Sequence, residues 1–215
     1  MVLPRIYRTT GEGVIASYDF NDIISGVAYE VFYLGNTKED TTISYVLSPN
    51  SFYSNDVEIE ENIAPNTASF TLVKDIDFDV VLGIPRIIEG VAILSIPMKF
   101  YISGGAGHVT GYYIAKLRSY DGSSETEIAS AQSESNNSTD GTNIKIHTVH
   151  MVVPKTSLKV GDTLRLTLEL YLKNAHGSNQ GTLYVGCDPK NREGDNFGAG
   201  EVTEAVLHLP FKPDL

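Results

Sequence analysis

Between Thr163 and Lys173 the chain alternates without a break: Leu164, Leu166, Leu168, Leu170 and Leu172 share one parity, and Arg165, Thr167, Glu169 and Tyr171 share the other. Successive side chains of a β-strand point to opposite faces, so this pattern predicts a half-buried strand with its leucines inward. A second run, Val91–Ser103, sets Ala92, Leu94, Ile96, Met98, Phe100 and Ile102 against Val91, Ile93, Ser95, Pro97, Lys99 and Tyr101. Pro97 has no N–H to give to a ladder, which predicts an edge or bulged position there.

Further strands are expected at Val14–Phe20, Val27–Leu34, Thr42–Leu47, Ser69–Val73, Asp77–Leu82, Val109–Arg118, Glu125–Ser133, Thr142–Val153, Thr182–Cys187 and Val202–Leu209. About a dozen strands joined by Gly, Asn, Asp and Pro clusters indicate an all-β, antiparallel, jelly-roll-like sandwich and not a βαβ fold. The only helix-like stretch is Pro154–Leu158. The Lys159–Asp162 segment after it reads as a tight turn, with Gly161 free to take positive φ. One domain spanning residues 1–215 with an N-terminal extension is the preferred organisation; the alternative places a boundary at Gly83–Arg86. Two segments stand apart. Ser119–Asn143 is rich in Ser, Asn, Asp and Thr and reads as an exposed excursion or mobile hairpin, and Gly186–Gly200 packs charge and glycine into a long loop.

The charge balance narrows function. The 215 residues carry 16 basic and 27 acidic side chains, a net −11. Phosphate recognition needs clustered Lys and Arg, which are absent, so direct binding of nucleic acid or of an anionic membrane is disfavoured. The first half is the more acidic, with 6 basic and 14 acidic groups in residues 1–107. A lone cysteine, Cys187, makes no internal disulfide, which suggests folding in a reducing cytoplasm. The opening residues Met1–Arg8 lack the apolar stretch of a secretory signal, and no apolar run approaches the roughly 18–20 residues of a membrane helix.

Catalytic patterns are missing. His147 and His150 are the closest histidine pair, but three residues apart on a strand they face opposite ways and do not chelate one ion. Cys187 ends a strand ahead of Asp188–Pro189 with no neighbouring histidine in sequence, and reads as packing. There is no Gly-x-Ser-x-Gly elbow. Gly11–Gly13 and Gly104–Gly107 lack the strand-to-helix setting of a phosphate loop and read as turns. The loop after Cys187 offers the hard oxygens of Asp188, Asn191, Glu193, Asp195 and Asn196 to calcium, without EF-hand spacing. A local network is the competing reading there, with Arg192 forked onto a carboxylate. Asn136–Thr139 holds two overlapping glycosylation sequons and reads as an exposed loop. No residue is given a catalytic role and no cofactor is expected.

Two stretches carry a family resemblance. Ala16–Ile23, followed by Ser25–Tyr29 and Phe32–Gly35, resembles the opening of virion structural proteins of tailed bacteriophages and related viruses. Leu158–Leu166, continuing to Gly181–Arg192, is similar to late strands of the same group, in which a histidine often stands at the position of Cys187. The resemblance implies a virion component (capsid, decoration or tail) that folds in the host cytoplasm and assembles as a homo-oligomer with other virion proteins. Its contacts would be Met1–Thr10, Ser119–Asn143 and Gly186–Gly200. The rival reading is a carbohydrate-binding or adhesin-like module, with Tyr112, Tyr113, Tyr120, Tyr171 and Tyr184 as sugar-stacking rings.

Overall fold

The computed structural model describes residues 28–102, 108–139 and 144–212. The strand expected at Val14–Phe20 and both glycine-rich stretches, Gly11–Gly13 and Gly104–Gly107, lie outside the described residues. Within them there is no helix, and twelve strands follow in chain order: β1 (Ala28–Glu39), β2 (Thr42–Ser48), β3 (Glu58–Ile63), β4 (Thr67–Val81), β5 (Arg86–Ile102), β6 (His108–Tyr120), β7 (Glu125–Gln132), β8 (Asn136–Thr139), β9 (Lys145–Leu158), β10 (Thr163–Asn174), β11 (Gly181–Gly186) and β12 (Ala205–Phe211).

The strands hydrogen-bond in the order β3-β11-β5-β12-β1-β2-β4-β10-β6-β7, with β9 added to β5 and β8 to β6. Every pairing is antiparallel except β2 with β4, which meet in a single parallel bridge, Val46 to Asp79. That thin seam divides the network into two layers. One holds β3, β11, β5, β12, β1, β2 and β9; the other holds β4, β10, β6, β7 and β8. The layers close on one another: Tyr113 of β6 donates its phenol proton to the His147 carbonyl of β9 at 3.0 Å. A Cβ on Gly111 of β6 would stand 2.5 Å from the Phe100 ring of β5, so only hydrogen fits there. This is the expected all-β sandwich.

The leucines of β10 point inward, as their parity requires, and all five are fully buried. They share one cluster with Phe78, Leu117, Leu94, Ile96, Met98, Met151, Leu207 and Leu209, which takes in side chains on both sides of positions 83–86. Burial of each such side chain is worth about 2 kcal/mol.

Several expectations are corrected. β4 runs unbroken from Thr67 to Val81 where two strands were expected. β3 was not foreseen, because Glu58-Ile59-Glu60-Glu61-Asn62-Ile63 has only two inward apolar residues, Ile59 and Ile63. The helix-like Pro154–Leu158 is the end of β9. Within Ser119–Asn143, expected as an exposed excursion or mobile hairpin, the described residues form a hairpin: β7 pairs with Ile114–Tyr120 of β6, and β8 with His108–Gly111.

Pro97 is not at an edge. β9 pairs along one side of β5, while along the other β12 reaches only Ser95 and β11 begins at Met98. The residue without an N–H falls in the gap between two neighbouring strands. Gly161 takes the expected positive φ, 88°. Gly90, at φ 135°, marks the register shift of β5 against β9.

Candidate functional site

The densest polar constellation lies where the chain leaves β11. Cys187 and Asp188 are both buried there. The Asp188 carboxylate takes four N–H bonds. Oδ2 accepts from the Arg192 backbone at 2.8 Å and from Arg192 Nε at 3.0 Å; Oδ1 accepts from Arg192 Nη2 at 3.1 Å and from the Ser54 backbone at 3.2 Å. Arg192 Nη2 also donates to the Ser54 carbonyl. Burial alone would raise the Asp188 pKa, but these donors outweigh it and hold the carboxyl below its ordinary range. Asn191, in the left-handed region at φ 52°, turns the loop so that its Oδ1 accepts the Thr203 N–H at 2.7 Å.

Three of the five side chains offered to calcium already have protein partners. Asp188 is neutralised by a guanidinium and the Asn191 oxygen is taken by Thr203, while the Asn196 amide donates to Glu58. Glu193 and Asp195 are exposed. The described residues hold no group of three or more His, Cys, Asp or Glu side chains placed to bind a metal. Cys187 packs as expected: Asn36 Nδ2 lies 3.8 Å from its sulfur, and burial pushes the thiol up to about 12, so it stays protonated at neutral pH.

From Gly194 to Glu201 the loop folds over the outer side of β3, β11 and β5. Asn196 is gripped by Glu58 and accepts from Lys99 at its carbonyl, and Phe197 is wholly buried beneath. A cleft of about 490 Å³ results, lined by Lys99, Tyr101, Tyr184, Asp195, Asn196 and Glu201 together with Gly198 and Ala199. It offers one cation, two carboxylates and two phenols. Among the described residues no hydrogen bond joins a hydroxyl or thiol to a histidine ring, the usual way a nucleophile is activated.

His147 and His150 sit on opposite faces of β9, the first buried and the second exposed. The five tyrosines do not form one platform. Tyr113 and Tyr184 are buried. Tyr112 and Tyr171 stack at 5.1 Å with a 13° interplanar angle, Phe70 meets Tyr112 edge-on, and Tyr120 lies under the Arg165 guanidinium.

The outer sides of the two layers differ sharply. Over β4, β10, β6 and β7 charged side chains are concentrated among the outward positions, beside Tyr112, Ile114, Tyr120 and Tyr171. Arg165 reaches Asp77 at 3.1 Å, Asp79 at 2.7 Å and Glu125 at 3.2 Å, Lys116 pairs with Glu169, and Arg118 pairs with Glu125. Across β9, β5, β12 and β1 the in-register outward rows read His150–Ile93–His208–Val31 and Thr148–Ser95–Val206–Tyr33, with Val152 beside Val91. No member of these rows carries a fixed charge. This second face was legible in the sequence as the off-parity residues of Val91–Ser103, and only the register shows that four strands continue it.

No family model matches the sequence, and no curated protein matches it. Solved structures do share its fold. A CocE/NonD family hydrolase from Staphylococcus aureus superposes with a TM-score of 0.52 at 11% identity, over 87% of this chain and 37% of its own. An α-amino acid ester hydrolase gives a TM-score of 0.55 at 12% identity, over 85% of this chain and 36% of its own. At such identity the likeness is one of fold, and the chain spans little more than a third of the length of these hydrolases. It overturns two expectations, a virion structural role and a chain with no link to enzymes: the strand arrangement recurs inside hydrolases. Of the five rings named for the sugar-binding alternative, Tyr113 and Tyr184 are buried, while Tyr112 and Tyr171 stack on the outer side of β6 and β10.

Proposed function

We propose that this chain is the β-sandwich module of a hydrolase acting on ester bonds, docked through the rows without fixed charge on β1, β12, β5 and β9 onto the part of the enzyme that supplies the reacting groups. The observation that carries the reading is the superposition of nearly the whole described sandwich on about a third of two hydrolases, one an ester hydrolase by name. The site supports it. The cleft beside Tyr101 and Tyr184 has walls for a ligand and no hydroxyl or thiol hydrogen-bonded to a histidine, so bond cleavage draws on groups beyond it. Two in-register rows without fixed charge, on a chain of net −11, suit burial against another surface, because contact along them desolvates no ion.

The test is to tag the chain in its native cell, purify it gently, and assay the eluate with p-nitrophenyl acetate beside an eluate of the Ile93→Lys variant. Ester hydrolysis that accompanies the wild-type chain and is lost from the variant supports the reading. Absence of ester hydrolysis from both the purified chain and its native complex would refute it.

A further inference from the structure

We propose that His147 is a pH-sensitive latch: while neutral it holds the connection between β7 and β8, residues 134–136, against β9, and on protonation it lets that segment go. This inference is independent of the hydrolase reading and rests on the direction of two hydrogen bonds.

Asn136, the first residue of β8, lies between two side chains of β9. Lys145 Nζ stands 2.8 Å from Asn136 Oδ1, and the Asn136 nitrogen stands 3.3 Å from His147 Nε2. An ammonium only donates, so the amide oxygen must face Lys145. The amide nitrogen, also only a donor, then faces Nε2. A donor facing Nε2 requires that Nε2 be bare, so the ring proton sits on Nδ1. The neutral imidazole thus holds the connection at Asn136, accepting its amide N–H through Nε2.

A second proton reverses that bond. An N–H on Nε2 would confront the N–H₂ of Asn136, and the new charge would sit in an apolar setting. The ring is 5% exposed, 6.2 Å from the Phe100 ring of β5 and 6.5 Å from the Tyr113 ring of β6. The charged groups around it are Lys145 on β9, which repels, and Glu134 on the connection, which attracts; Phe100 and the neutral Tyr113 bring none. Burial is the leading influence and lowers the affinity of the ring for its proton. The sign follows. A histidine with a depressed folded pKa contributes its full stabilisation above the ordinary imidazole value of about 6.5, and loses it as pH falls through the folded value. Ser133 is bonded to Tyr113 through both its N–H and its hydroxyl, at 2.9 and 3.1 Å, and serves as the fixed end about which 134–136 swings.

The experiment follows amide hydrogen exchange of peptides covering 134–138 in the full chain between pH 7.5 and pH 4.5, corrected for intrinsic exchange. Protection should fall at least tenfold across that range in the wild type. It should stay flat in His147→Gln, whose Oε1 can accept from Asn136 without titrating. ¹⁵N NMR of the wild-type histidines at pH 7.5 should show a bare Nε2 and a protonated Nδ1 for His147, a readout that needs no variant. Unchanged protection down to pH 4.5, an equal fall in His147→Gln, or a protonated Nε2 at pH 7.5 would each overturn the latch.

Discussion

The inner sides of the two layers are chemically alike, and the outer sides are opposites. Over β4, β10, β6 and β7, Arg165 alone gathers three carboxylates, and like charges stand directly across from one another: Glu169 opposite Asp75, and Arg165 opposite Arg118. Burial, with Asp77 and Glu169 close by, pushes Asp75 above its ordinary range. Such a ladder is stable only where water and counterions screen it, so this side belongs to solvent. Over β9, β5, β12 and β1 the two in-register rows hold Val, Ile, Thr, Ser, Tyr and His, with no Lys, Arg, Asp or Glu among them. The same alternation that builds the core on one parity has written a charge-rich outer side on one layer and two rows without fixed charge on the other.

Four substitutions, from the largest expected effect downward, bear on that contrast. Leu168→Ala removes a fully buried side chain from the core beneath both faces, and should cost about 2–5 kcal/mol in urea unfolding. A cost that small surface changes could match would mean that the layers are not closed on a common core. Asp188→Asn strips Arg192 and the Ser54 N–H of their acceptor and should cost about 2–3 kcal/mol at pH 7. Because the Asp188 carboxyl is held below its ordinary range, its contribution is present above about pH 4 and fades as pH falls further. The wild type and the variant should therefore converge in acid; a constant gap would sink this account of the loop. Ile93→Lys should leave the unfolding midpoint within about 1 kcal/mol of wild type while weakening association with the hydrolase about tenfold. Arg165→Ala should cost only about 0.5–1 kcal/mol, vanishing in 1 M salt and leaving that association untouched. If Arg165→Ala and Ile93→Lys exchanged these outcomes, the assignment of the two faces would be reversed.

Much of the fold was legible because period-2 alternation is a local property. The leucine strand β10, the positive φ of Gly161, the opposed histidines of β9 and the packing of Cys187 all follow from parity or from turn chemistry within a few residues. The site was legible only in outline. That Arg192 would fork onto a carboxylate was foreseeable from spacing, but its second partner, Ser54, is 138 residues away. Strand β3 escaped notice because its burial comes from the partner β11 rather than from its own composition.

The sequence by itself determined where most of the strands run and which parity is apolar, since those depend on near neighbours. Only the tertiary structure decided that Pro97 sits in a gap between β12 and β11, that β7 and β8 share β6, and that Tyr113 is lost to the core. It also set the off-parity residues of β5 in line with those of β9, β12 and β1 to make two rows without fixed charge. Register is a relation between distant strands, settled by burying the leucines of β10 against the facing layer, and no window along the chain contains it.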